Sequence, residues 1–149
     1  FCTRLLNNLP PVVYEDGRQS RDLIFVEDIA RANMLVATDD RADGQILNVG
    51  TGNAVAIGDL ASMLARLLGK EIEPHIPGEF RPGEMRALIS DISRIGALGF
   101  KPGVALENGI DRYLAWIGEQ GDVGEYFSAA ERRLRQRQVV KKARYGALA

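Results

Sequence analysis

The sequence predicts an α/β fold, and only part of one. Short apolar, β-branched runs alternate with longer stretches of helical periodicity, the order typical of α/β proteins. One stretch, AIGDLASMLARLLGK at 56–70, carries a clear apolar helical face. Only about four strands, two of them short, stand against several apolar helix faces. So small a sheet is expected to dock on something outside these 149 residues.

Residues 1–8 read as the end of a helix, stopped before the Pro10–Pro11 pair because proline disfavours helix in the residue ahead of it. VVY at 12–14 reads as a short strand. EDGR reads as a turn, with Asp16-Gly17 able to supply positive φ. SRDLIFV at 20–26 reads as a strand. Asp28 then serves as the cap of a helix running to about Asp39, with Ile29, Ala32 and Val36 on one face. GQILNVG at 44–50 reads as a strand between glycines.

In the helix at 56–70, Ile57, Leu60, Ala61, Leu64 and Leu68 share a face and Gly69 is the stop. Ala56 stands where Ser or Thr would cap it, so half of a capping box is lost at a cost of about 1 kcal/mol. IEPHIP reads as an edge strand punctuated by prolines. A short helix is expected over 91–98. A longer one follows with Leu106, Ile110, Tyr113, Leu114 and Ile117 inward, closed by Gly121. Residues 125–140 predict a last, strongly charged helix. The expected organisation is a body at 1–120 and a basic helical extension at 121–149.

Composition excludes several classes. A hydrophobic content of 46% with 26% charged residues is that of a globular protein, and the net charge of -1 gives no general affinity for nucleic acid or membrane. One cysteine, Cys2, and one histidine, His75, leave no disulfide pair and no thiolate or imidazole metal cluster. No apolar run reaches the ~18 residues of a membrane span, and no signal peptide is visible. The chain starts without Met inside an apparent helix, so residue 1 is expected to be a cut end. Charge is uneven: residues 131–144 hold seven Arg or Lys against one Glu. Without interleaved aromatics that run reads as a solvated helix face ahead of an RNA-binding surface.

Two loops could carry chemistry. YEDGRQSRD presents Arg21 with Asp22 beside it to orient it, and EFRPGEMRAL presents Arg81, Pro82-Gly83 and Glu84. Two arginines from separate loops can close on a pyrophosphate, because the planar guanidinium fork matches phosphate oxygens. Glu84 could accept from sugar hydroxyls. On physical grounds alone, surface salt bridges are the better explanation of the same residues. His75 with Ser90 and Asp91 could be drawn as a hydrolase triad, but a histidine between prolines reads better as structural. Tyr113 and Trp116 read as helix packing. GTGNAVAIG at 50–58 looks like a dinucleotide loop, yet lacks the G-x-G-x-x-G spacing.

Taken in order, YEDGRQSRDLIFVEDIARANMLV, GQILNVGTGNAVAIGDLASMLARLLGK, FRPGEMRALISDISRIGALGFKP and LENGIDRYLAWI resemble the C-terminal part of NAD-dependent nucleotide-sugar epimerases and dehydratases. These are extended short-chain dehydrogenase/reductases, UDP-glucose 4-epimerase among them. The likeness covers about residues 1–118. It implies that Arg21 and Arg81 contact a nucleotide diphosphate, that Glu84 holds the ribose, and that Val13 and Tyr14 run along the base. It implies NAD, bound by an N-terminal half outside this chain that also carries a Tyr-x-x-x-Lys pair. None of Tyr14, Tyr113, Tyr126 and Tyr145 has Lys four residues on. The implied partner is a nucleoside-diphosphate sugar and the implied location the cytoplasm. A homodimer is open to the full-length protein. The competing expectations are a non-catalytic nucleotide-binding module and a protein that interacts through its basic tail.

Overall fold

Six helices and five two-residue strands make up the computed structural model, which describes residues 1–121 and 123–142. The order is α1 (Cys2–Leu6), β1 (Ser20–Arg21), α2 (Val26–Thr38), β2 (Val55–Ala56), α3 (Ile57–Leu67), β3 (Glu79–Phe80), β4 (Ala87–Leu88), α4 (Ser93–Ala97), α5 (Leu106–Gly118), α6 (Phe127–Gln136) and β5 (Lys141–Lys142). A one-turn 3-10 helix, Asp40–Ala42, follows α2. The class is α/β, as the alternation of elements predicts.

β1 is the centre of a three-stranded sheet. It pairs antiparallel with β2, Ser20 against Ala56, and parallel with β4, Ser20 against Ala87. β3 and β5 form a separate antiparallel pair. Two apolar clusters hold the helices. Leu5, Leu64, Ala65 and Ile110 join α1, α3 and α5, while Ala32, Ile95 and Phe100 join α2 to α4 and the loop after it.

Several predicted elements shrink. The strands expected at 12–14 and 72–77 reduce to one parallel bridge, Val12 to His75. The strand at 20–26 is confined to β1. Residues 44–50 form no strand, although the strand alternation survives, with Leu47 and Val49 turned toward the α2–α4 cluster and Ile46 exposed. A strand needs a partner ladder as well as a pattern, and among the described residues this segment has none. The last helix ends at Gln136 rather than near 140, because Gln138 takes a positive φ of 55° and the chain turns back into β5. Of the basic extension expected at 121–149, residues 122 and 143–149, Tyr145 among them, lie outside the described residues.

Two predicted cap assignments also change. Asp28 is not the cap of α2, which starts at Val26 with Phe25 as N-cap. Asp28 is instead wholly buried inside the first turn and accepts Gly103 N and Val104 N, both at 3.1 Å, together with Arg31. Ala56 does cap α3 without a side-chain bond, as expected. The loss is offset by a neighbouring loop: Ile57 N donates to Gln19 O at 2.9 Å and Gly58 N to Gly17 O at 2.8 Å.

Candidate functional site

The loop between β3 and β4 is a tight turn. Pro82 fixes its φ and Gly83 takes a φ of 88°, while Glu84 N donates to Arg81 O at 3.2 Å, the pattern of a type II turn. That turn sets its first and fourth side chains side by side, and Arg81 Nη2 lies 2.5 Å from Glu84 Oε1. The Arg81 guanidinium also sits 5.0 Å from the centre of the Tyr14 ring, a cation–π arrangement. Its Nε is buried and has no hydrogen-bond partner.

Arg21 approaches from β1. Its Nη1 donates to Ser20 O at 2.8 Å and to Met85 O at 2.9 Å, so the side chain leans against the turn that carries Arg81 and Glu84. The register of β1 on β4 enforces this, with Ser20 N on Arg86 O and Asp22 N on Leu88 O. The two arginine loops distinguished in the sequence are thus neighbours in space.

Asp22 does not orient Arg21. Its carboxylate accepts Thr51 N at 2.9 Å, Thr51 Oγ1 at 2.5 Å, Gly52 N at 3.0 Å and Ser90 N at 3.3 Å. Burial would raise the Asp22 pKa, but these bonds together outweigh it and hold the carboxyl below its ordinary value. The amides of Thr51 and Gly52 are therefore given to Asp22, and the first two amides of α3 to Gln19 and Gly17. Amides held in this way are not offered to a dinucleotide pyrophosphate, which binds through free N–H groups.

Val13 and Tyr14 are buried side chains, at 1% and 5% exposure. Val13 N donates to His75 O and Tyr14 O accepts from Gln19 Nε2. The Tyr14 hydroxyl donates to Glu131 Oε1 on α6 at 3.3 Å, and burial, with Glu131 nearby, pushes its pKa up. The adjacent turn is braced by Arg86, whose guanidinium forks onto Asp16 at 2.5 and 2.8 Å and reaches Glu15 at 3.1 Å. This fork, ahead of burial, sets the Asp16 carboxyl far below the usual carboxylate range. Glu15 itself adopts a φ of 56°, uncommon for a residue with a side chain.

The hydrolase reading of His75 finds no support in these contacts. The His75 backbone serves the bridge to residues 11–13, Ser90 Oγ reaches Val49 O at 3.5 Å, and Asp91 accepts Ser93 N. Tyr113 and Trp116 meet with ring centres 5.7 Å apart and planes tilted by 34° on an exposed flank of α5, contrary to the expected packing role. The sequence also gave no sign of the α6 contacts. Arg135 forks onto Glu79 at 2.7 and 2.6 Å, two residues before Arg81. The i,i+4 spacing of Glu131 and Arg135 marks a helical ion pair but not its distant partners.

The model of the "NAD dependent epimerase/dehydratase family" matches residues 1–50. A protein from Methanocaldococcus jannaschii described as a putative UDP-glucose 4-epimerase is 32% identical over 117 residues, 78% of this chain and 37% of the relative. Among solved structures, UDP-glucose 4-epimerase with UDP-glucose from Thermotoga maritima superposes with a TM-score of 0.74 at 28% identity, over 81% of this chain and 38% of that one. UDP-glucuronic acid 4-epimerase from Bacillus cereus, in complex with UDP-glucuronic acid and NAD, gives 0.71 at 25% identity, over 80% and 38%. The chain therefore spans a little over a third of the length of these relatives. It aligns with their C-terminal part, and it belongs to the NAD-dependent epimerase/dehydratase family.

Proposed function

We propose that this chain is the nucleoside-diphosphate-sugar-binding part of an NAD-dependent sugar epimerase or dehydratase. The observation that carries the reading is the convergence of Arg21 and the Arg81–Glu84 turn. Two guanidinium groups on backbone supports close to one another suit the two phosphoryl groups of a diphosphate. Arg81 is neutralised by Glu84, so an incoming diphosphate would take over the guanidinium and release Glu84 to accept ribose hydroxyls. Tyr14, beneath Arg81, would border the base together with Val13. Anchoring the diphosphate fixes the sugar, so that binding energy remote from the reacting carbon orients it.

NAD would supply the hydride acceptor, and the residues described here are assigned no part in holding it. The glycine loop at 50–52 does not fit that group, since the Thr51 and Gly52 amides are spent on Asp22. The division proposed is a body at 1–120 that carries the site and an extension at 121–149, whose α6 touches that body through Arg135 and Glu131.

The test is titration calorimetry with UDP on the complete gene product that carries these 149 residues. Arg21→Ala and Arg81→Ala each remove a charge-assisted contact of about 1.5–3 kcal/mol. The expected loss is about tenfold to a hundredfold in affinity, with NAD binding unchanged. Arg→Lys recovers part of it, because a point charge lacks the planar fork. Glu84→Ala costs less. Arg66, ion-paired to Glu107 on the far helices, is the control and should change nothing. If neither Arg21→Ala nor Arg81→Ala weakened UDP binding, both would revert to surface salt bridges.

A further inference from the structure

We propose that Arg135, on α6, is a positioning residue of the nucleotide site, holding the Glu79–Arg81 segment in place and cancelling the Glu79 charge beside the diphosphate. The inference rests on the reading of Arg81 as a diphosphate ligand.

Glu79 is a buried carboxylate, and both its oxygens take the Arg135 fork. Its backbone is held as well: Glu79 O accepts Glu15 N at 2.6 Å, and Glu79 pairs with Lys142 across β3 and β5. Two residues later the chain reaches Arg81, over the Tyr14 ring. The Tyr14 hydroxyl donates to Glu131, and Arg135 donates to the same carboxylate at 2.8 Å. The contacts form a closed ring from Arg135 through Glu79, Arg81, Tyr14 and Glu131 back to Arg135. Both the strand that delivers Arg81 and the ring on which it rests are therefore tied to one helix.

α6 is not an ordinary core helix. Among the described residues none of its side chains is buried. It is held by contacts at its two ends: Arg4 with Glu125, Ser128 and the Phe127 ring at one, and the Arg135 fork at the other. The Arg135 end falls on the site. A buried carboxylate so close to Arg81 would repel a diphosphate if unpaired. The Arg135 hydrogen bonds hold the Glu79 carboxyl below its usual range and cover its charge with a guanidinium.

The experiment uses the complete gene product, with UDP and uridine as probes in parallel titrations. Arg135→Ala is expected to weaken UDP binding on the order of tenfold and uridine binding much less, since uridine carries no phosphate. Adding Glu79→Gln to Arg135→Ala should restore a large part of the UDP affinity, because the uncovered charge is gone. Arg132→Ala, exposed on the same helix, should leave both probes unchanged. Should Arg135→Ala fail to fold, Arg135→Lys carries the test: it keeps the charge, loses the fork, and should reduce UDP affinity by a smaller factor.

Unchanged UDP affinity in both Arg135→Ala and Arg135→Lys overturns the inference, and leaves the diphosphate clamp standing if Arg81→Ala still weakens binding. Equal loss for UDP and uridine, with no recovery from Glu79→Gln, also overturns it, since Arg135 would then be only a structural support. If the wild-type protein binds no UDP, the clamp reading falls first and takes this inference with it.

Discussion

Two buried or half-buried aspartates act as staples between segments remote in sequence. Asp22 gathers the amides of Thr51, Gly52 and Ser90, and Asp28 gathers those of Gly103 and Val104. Burial pushes both carboxyls up, but the Thr51 hydroxyl on Asp22 and Arg31 on Asp28, together with these amides, outweigh it and hold both below their ordinary pKa. A depressed folded pKa means stability that is complete above the unfolded value of about 3.9 and lost as pH falls through the folded one. Thermal melts should therefore hold steady from neutrality to about pH 5 and decline in acid. Asp22→Asn should lower neutral stability by about 1–3 kcal/mol, the cost of leaving buried amides badly served, and flatten the acid decline. An acid decline unchanged by Asp22→Asn and Asp28→Asn would remove both from this role. Gly50 has a related constraint. A Cβ there would fall on Asp22 Oδ2 and lie 2.5 Å from Ser90 Cβ, so Gly50→Ala should open this staple and lower the melting temperature. At this scale the sequence showed which residues carry charge and which loops are tight, but not where an aspartate's partners lie. Arg86 makes the point: its own loop gives no hint of a partner some 70 residues earlier, yet it braces Glu15 and Asp16.

Helices were far more legible than strands. The cores of α3 and α5 follow their predicted faces, Tyr113 excepted, because a helix closes its own hydrogen bonds and the 3.6-residue pattern suffices. Residues 12–14, 20–26 and 44–50 carry strand patterns, but pairing depends on a second segment that the local sequence does not name. The cap of α3 is the sharpest case. Ala56 correctly predicted a missing side-chain bond, whereas the carbonyls of Gly17 and Gln19 that meet the first two amides come from 38 or more residues earlier in the sequence. They leave the amide of Asp59, the third helical residue, without a cap bond from Ala56. Ala56→Ser should supply that acceptor and raise stability by about 0.5–1 kcal/mol, read as a higher melting temperature. No gain would mean that pairing of residue 56 with Ser20 holds the side chain away from the helix end.

At the scale of the whole molecule, the apolar surface matters more than the net charge. Val26, Met34, Ile46, Tyr113 and Trp116 are all exposed, on α2, on α5 and on the unpaired segment at 44–50. Unpartnered apolar surface favours association, and an extended edge such as 44–50 offers free backbone groups to another chain. No helix among the described residues is long and apolar enough to cross a membrane. The relatives are more than twice as long as this chain, which leaves room in the family for a further body to cover such a face. The 149 residues produced alone should bind a hydrophobic dye, associate with rising concentration and melt over a broad range. They are also expected to turn over no nucleotide sugar with NAD, since these residues hold neither a Tyr-x-x-x-Lys pair nor a G-x-G-x-x-G loop. A polypeptide that joins these residues to the NAD-binding half proposed above should lose the dye signal and melt sharply. A monomeric 149-residue chain with a sharp melt and no dye binding would mean that α2, α5 and residues 44–50 need no cover, and that this part folds as an independent unit.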